Sequence, residues 1–240
     1  VTLLSVRSLD VQHGQLKAIR GLDLDVEAGQ VLAVIGANGA GKSTLLRALA
    51  GSNLPTAGSI VFNGTDITRV PAHRRVAGGI ALVPEGRKLF RSLTVEENLL
   101  TGTYRRRPGP WSVEKIYELF PWMPDRRRQN AAQLSGGEQQ SVAIGRALVS
   151  NPALILVDEL SLGLAPVIVR RIYEVLPTIV AEGTTALIVE QDVAQAMRVA
   201  DHVHCLLEGR SVLEGHPRDL TAQQVERAYF GIDETPAAGE

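Results

Sequence analysis

Short runs of consecutive apolar residues recur along most of the chain, separated by polar or glycine-bearing stretches. Val31–Ile35, Ile80–Val83, Leu154–Val157 and Ala186–Val189 are rich in Val, Ile and Leu and show no polar alternation. Such runs predict strands buried on both faces. Helical spacing follows two of them, over Lys42–Ala50 and Val167–Ala181. Strand–helix alternation of this kind predicts an α/β fold with a mostly parallel sheet.

Two regions depart from that rhythm. Leu3–Val26 and Ser59–Phe62 alternate apolar and polar residues with no helix between them, which predicts an antiparallel side sheet. Thr94–Val149 carries helical spacing without a good strand and predicts a helical subdomain, about 88–150, inserted between two core strands. Val203–Leu207 and Ser211–Glu214 flank Glu208-Gly209-Arg210, a hairpin with glycine at its turn. Pro217 is expected to open a last helix, and Asp233–Glu240 to form a flexible tail. The organisation expected is one domain over 1–232.

Composition narrows the function classes. With 25 Lys and Arg against 26 Asp and Glu, the net charge is −1. No basic excess points to nucleic acid as a partner. The arginine triplets Arg105–Arg107 and Arg126–Arg128 are expected on solvated helical faces. The single cysteine, Cys205, excludes an internal disulfide and is expected to be a small buried hydrophobe in a reducing compartment. The first ten residues lack a signal-peptide pattern, and no apolar run approaches the roughly 20 residues that span a bilayer. Action at a membrane would therefore go through a partner.

The candidate chemistry begins at Gly36-Ala37-Asn38-Gly39-Ala40-Gly41-Lys42-Ser43, followed by Thr44. It fits G-x-x-x-x-G-K-[ST], with a buried strand before it and a helix after it, which is the setting a phosphate loop requires. Glycines let the backbone approach phosphates, and the helix N-terminus presents partial positive charge. Lys42 would reach the outer phosphates and the Ser43 hydroxyl would ligate Mg²⁺. Asp158 and Glu159 end the strand Leu154–Val157, at the edge where open α/β sheets bind ligands. One carboxylate can hold Mg²⁺ while the next deprotonates water.

These two motifs leave kinases, GTPases, helicases and recombinases open. Leu134-Ser135-Gly136-Gly137-Glu138-Gln139-Gln140 narrows the choice. Ser135, Gly136 and Gly137, before a helix expected over Ser141–Val149, form a second phosphate-binding device. A second device makes sense if it serves the nucleotide of another copy; taken alone it is also an ordinary helix cap with a flexible glycine pair.

With that segment in place, the chain resembles the nucleotide-binding subunit of an ABC transporter over roughly residues 3–230. Ala81–Arg87, Leu93–Leu99, Leu134–Gln140, Ser161–Pro166 and Val189-Glu190-Gln191 are similar to one of the ATPase subunits of branched-chain amino acid importers. The resemblance implies a P-loop ABC ATPase that binds ATP and Mg²⁺ and hydrolyses ATP. Its partners would be integral membrane permease subunits, a second ATPase subunit (identical or paralogous) and, indirectly, a solute-binding protein. It would sit peripherally on the cytoplasmic face of the membrane. Import of amides or urea, and a soluble ABC ATPase without a permease, are the alternatives.

The resemblance also assigns single residues. Glu159 becomes the general base. His13 falls where the family usually stacks a tyrosine on adenine, an ordinary exposed turn histidine being the competing reading. Glu85 falls where a glutamine usually reaches Mg²⁺, and Gln191 where a histidine usually senses the γ-phosphate. Leu160 and Ala165 replace a common Pro and Asp. The segment Arg87–Arg91, with Leu89 and Phe90, is expected at the permease contact, although the apolar pair fits local burial nearly as well.

Overall fold

The computed structural model describes residues 1–105 and 107–232. Strand β1 (Thr2–His13) turns through Gly14 into β2 (Leu16–Glu27), and β3 (Val31–Ile35) feeds helix α1 (Lys42–Ala50). Strands β4 (Ala57–Phe62) and β5 (Thr65–Asp66) precede α2 (Ala72–Gly78) and β6 (Ile80–Val83). Helices α3 (Val95–Thr101), α4 (Val113–Leu119) and α5 (Gly136–Leu148) lead to β7 (Leu154–Asp158). The chain continues through α6 (Pro166–Tyr173), α7 (Leu176–Ala181), β8 (Thr185–Glu190) and α8 (Val193–Val199). It closes with β9 (His202–Leu207), β10 (Arg210–Gly215) and α9 (Ala222–Phe230).

Two sheets result. The side sheet runs β2-β1-β4-β5, all antiparallel, and the core sheet runs β10-β9-β3-β8-β7-β6. Core neighbours are parallel except for the edge strand β10. Alternation along β3 shows how the layers assemble. Val31, Ala33 and Ile35 join the helical core on one face, while Leu32 and Val34 join the core shared with α1 and the side sheet. Both faces are covered, so the strands read as unbroken apolar runs.

Several boundaries differ from the sequence expectation. The segment 167–181 is two helices, because Pro177 has no N–H to donate and its ring excludes the carbonyl four residues back. The helix expected from Ser141 starts at Gly136, with Ser135 as its N-cap. Pro217 opens only a 3₁₀ turn; the last helix is capped by Thr221. Arg107 is not on a solvated face: its guanidinium donates to the carbonyls of Asn151 and Ala77, each at 3.1 Å. Arg106 and the tail at 233–240 lie outside the described residues. Cys205 is buried, and burial pushes its thiol up to about 11, so it packs as an inert hydrophobe.

One buried cation organises the far end of α1. Arg75, 2% exposed, donates to the carbonyls of Ala48 (2.8 Å), Leu49 (3.0 Å), Val70 (2.8 Å) and Thr68 (3.1 Å). Carbonyls in a last helical turn have no partner within the helix, so the planar guanidinium fork satisfies them. Burial pulls its pKa down to about 10, which leaves it charged at neutral pH. Arg75→Met is expected to cost about 3 kcal/mol, since it strands buried carbonyls that the apolar side chain cannot serve. Urea unfolding would measure this; a loss below about 1 kcal/mol would show that water replaces the guanidinium.

Candidate active site

The phosphate-loop segment bridges β3 and α1. Gly41 caps α1 at φ 106° with no side-chain cap, so the first N–H groups of the helix stay open to a ligand. The glycines serve different purposes. A Cβ on Gly36 would lie 2.3 Å from the Leu206 carbonyl oxygen, and one on Gly41 would lie 2.5 Å from that of Ala18. Both are required by close packing behind the loop. Gly39, at φ 85°, faces open space on the ligand side. Ala40 is buried, and its carbonyl accepts the Gly209 N–H of the β9–β10 turn at 2.9 Å.

A cleft of about 800 Å³ opens over this loop. Its walls bring together His13, Asn38, Gly39, Gly41, Lys42, Ser43, Thr44, Glu85, Glu159 and Gln191. Lys42 is buried, and its ammonium donates to the carbonyls of Gly36 (2.7 Å) and Ala37 (3.1 Å), which aims it along the loop. Burial lowers its pKa, opposed by the charges of Glu159, Asp158 and Glu190. The Ser43 hydroxyl donates to Asp158 Oδ1 at 3.0 Å. Asp158 is buried and its pKa is raised by that burial, with the Ser43 hydrogen bond acting the other way and Glu85 adding to the rise.

Glu159 follows at φ 49°, a left-handed conformation that costs a residue with a Cβ. Its N–H donates to the Val189 carbonyl at 3.0 Å, which turns the side chain into the cleft. Its pKa is raised, first by burial and then by Asp158, Glu85 and Glu190, while Lys42 pulls it down. A carboxylate raised in this way is a better proton acceptor than one in water.

The oxygens of Ser43 and Asp158, with Glu85 on the same wall, are hard donors of the kind Mg²⁺ takes. Among the described residues, no group of three or more His, Cys, Asp or Glu could hold a metal alone. A divalent ion here would complete its shell with phosphate oxygens and water.

Ser135, Gly136 and Gly137 stand apart from this cleft. Ser135 and Gly137 line a separate groove with Phe120, Trp122 and Ile168. Ser135 forms a capping box with Glu138: its backbone N–H donates to the carboxylate at 2.8 Å, and its hydroxyl accepts the Glu138 N–H at 3.4 Å. The glycine pair forms the first turn of α5, in keeping with a helix start there and not with the competing reading of a flexible pair. A Cβ on Gly137 would fall 2.3 Å from Ile168 Cγ2, so the residue lets α5 and α6 approach. In the segment expected at a permease, Phe90 is exposed and lies under the Arg146 guanidinium, 5.8 Å from its ring centroid. Leu89 packs partly into the core.

Sequence reasoning missed part of the cleft and one buried group. Leu16, Lys17, Ala18, Arg20 and Glu208 also line the site, from the side sheet and the β9–β10 turn. The exposed Leu16 beside the Gly14 turn was the available signal. Glu190 is fully buried at the end of β8; a carboxylate closing an apolar strand was its signal.

Comparison with known proteins agrees with this geometry. The sequence profile of the family described as "ABC transporter" matches residues 19–161. The chain is 42% identical over 232 residues to the "High-affinity branched-chain amino acid transport ATP-binding protein BraG" of Pseudomonas aeruginosa, covering 95% of this chain and 100% of that one. It is 31% identical to the "Probable branched-chain amino acid transport ATP-binding protein LivF" of Archaeoglobus fulgidus, covering 96% and 99%. Among solved structures, a nucleotide-free ATP-binding cassette from an ABC transporter superposes with a TM-score of 0.82 at 27% identity, over 95% of each chain.

Proposed function

The chain belongs to the ABC transporter family as an ATP-binding subunit, and from that premise we propose that it hydrolyses ATP to drive import of branched-chain amino acids through a separate membrane permease. The observation that carries the chemistry is the convergence of Lys42, the Ser43–Asp158 pair and Glu159 on one cleft at the ends of β3 and β7. The likeness to BraG and LivF carries the solute class.

The reaction is ATP + H₂O to ADP + phosphate. Open N–H groups at the start of α1 and the Lys42 ammonium hold the β- and γ-phosphates. Ser43 and Asp158, supported by Glu85, would hold Mg²⁺, which supplies positive charge to the phosphate oxygens when bound. Glu159 accepts the proton of the attacking water, and the Gln191 amide donates to a γ-phosphate oxygen. His13, at the exposed hairpin tip, lines the cleft and would stack on the adenine. Ser135, Gly136 and Gly137 complete the site of a second ATPase subunit. Membrane attachment goes through the permease, on the cytoplasmic face; no helix among the described residues is long and apolar enough to cross a membrane.

Lys42→Ala is expected to weaken ATP binding by about 10–100-fold, the worth of a charge-assisted hydrogen-bonding group. Equilibrium binding of a fluorescent ATP analogue measures it, and unchanged affinity would remove Lys42 from the phosphate site. The function as a whole is tested by reconstituting the chain with its permease and following phosphate release and leucine uptake together. Phosphate transfer to a small acceptor in place of water would make the chain a kinase. ATPase activity coupled to a different solute would reject the solute class and keep the machine.

A further inference from the structure

Glu190 is a carboxylate with no exposed surface, in a position where an ionised group survives only if donors surround it. Three do. The Ser161 N–H donates to Oε1 at 3.2 Å, the Ser161 hydroxyl donates to Oε2 at 2.7 Å, and the Tyr173 hydroxyl donates to Oε1. Tyr173 is itself buried on α6. The three donors come from two places: the turn after β7 and the helix that follows it.

That turn carries Glu159 two residues earlier, in its left-handed conformation. A strained residue keeps its shape only when its surroundings over-determine it. Here one anchor is the Glu159 N–H on the Val189 carbonyl, and the second is Ser161 on Glu190. Both anchors lie on the last two residues of β8, and Gln191 is the next residue along.

We propose that Glu190 is a positioning residue, whose buried carboxylate clasps the turn bearing Glu159 to the strand end bearing Gln191 and so holds base and phosphate sensor as one unit. The proposal rests on the roles given to Glu159 and Gln191 above. Glu190 is fully buried and does not line the cleft; it fixes where two other side chains point. Displacing a base by an ångström costs far more in turnover than in substrate binding, because binding is carried by the phosphate loop on β3 and α1.

The test measures kcat for phosphate release and ATP affinity on the full-length chain, with thermal stability alongside. Glu190→Ala is expected to lower kcat by about 10²-fold with ATP affinity kept within about threefold. Glu190→Gln keeps an oxygen for the Ser161 N–H and Tyr173, and its amide donates to the Ser161 hydroxyl, which can accept. It is expected to restore kcat to within about threefold of the parent chain. Equal kcat losses in the Ala and Gln variants, an unchanged kcat in Glu190→Ala, or a fall in ATP affinity that matches the fall in kcat overturns the clasp. If Glu190→Ala does not fold, Ser161→Ala and Tyr173→Phe each remove a donor; parental kcat in both overturns it equally. Glu159→Gln separates the two levels of the argument. Normal turnover in that variant would reject the base itself, whereas its loss beside an unaffected Glu190→Ala would reject only the positioning.

Discussion

Glu159→Gln is expected to reduce ATP turnover by about 10²–10⁴-fold while ATP still binds, because the substitution removes proton acceptance and little else. The phosphates are held by the start of α1 and by Lys42, which the variant leaves intact. The amide matches the carboxylate in size, so the turn at 159 and its N–H bond to Val189 should persist. The pH dependence provides a second reading. Burial raises the pKa of Glu159, so the fraction of active base falls as pH drops through that raised value. The acidic limb of kcat should lie above the ordinary glutamate range near ~4.3, and it should vanish in the variant. Stability moves the other way. A carboxylate whose folded pKa is raised weakens the fold once pH exceeds that value, and the penalty disappears as pH falls below the unfolded value. The variant should therefore be at least as stable as the parent at neutral pH. Phosphate release from pH 5 to 8 with parallel ATP binding checks both; a near-normal rate would end the assignment.

The second large effect concerns assembly. Glu159→Gln with ATP is expected to form a dimer, and adding Ser135→Arg is expected to abolish it. Ser135 is exposed at the N-terminus of α5 and does not line the cleft over the phosphate loop of its own chain. Two phosphate-binding helix starts that face different spaces can share one nucleotide only across two chains. Each ATP would then place anionic oxygens between the α1 start of one chain and the α5 start of the other, where both dipoles favour it. Arginine at 135 fills that second position and ends the capping box with Glu138. Size-exclusion chromatography with light scattering reads the outcome, and ATP binding to the double variant, compared with that of Glu159→Gln alone, serves as control because Ser135 does not line its own chain's cleft. A Glu159→Gln chain that stays monomeric with ATP bound, alone and mixed with a paralogous subunit, would reject the shared site.

The phosphate loop was legible from sequence because its physics is local: a buried strand, glycines at positive φ and a helix start within a dozen residues. Asp158 and Glu159 were legible for the same reason, as carboxylates at the end of an apolar run. The start of α5 was legible only in part: Ser135 was read at a helix N-terminus, but the helix was expected from Ser141, and only Ile168 packed against Gly137 accounts for the glycine pair inside it. The break between α6 and α7 was written in Pro177 but overridden by a continuous apolar period. Arg75 and Arg107 look like any surface arginine in sequence; only the fold delivers the carbonyls they serve. Gly36 and Gly41 were read in the sequence only as room for phosphates, and the structure adds a packing reason for both. Their missing side chains make room for the carbonyls of Leu206 and Ala18.

Helix α1 is pinned at both ends before any ligand arrives. Lys42 ties its first turn to the carbonyls of Gly36 and Ala37, and the Arg75 fork holds its last turn. An anion meeting that helix would find its donors already aimed, so little of the attraction is spent on freezing a loose chain. The corollary is a rigid receptor with no slow folding-upon-binding step. Amide protons in the middle of α1 should exchange only when the whole domain unfolds, with or without nucleotide. Faster exchange there in the nucleotide-free chain would mean that the pins release independently and that the site is built on arrival.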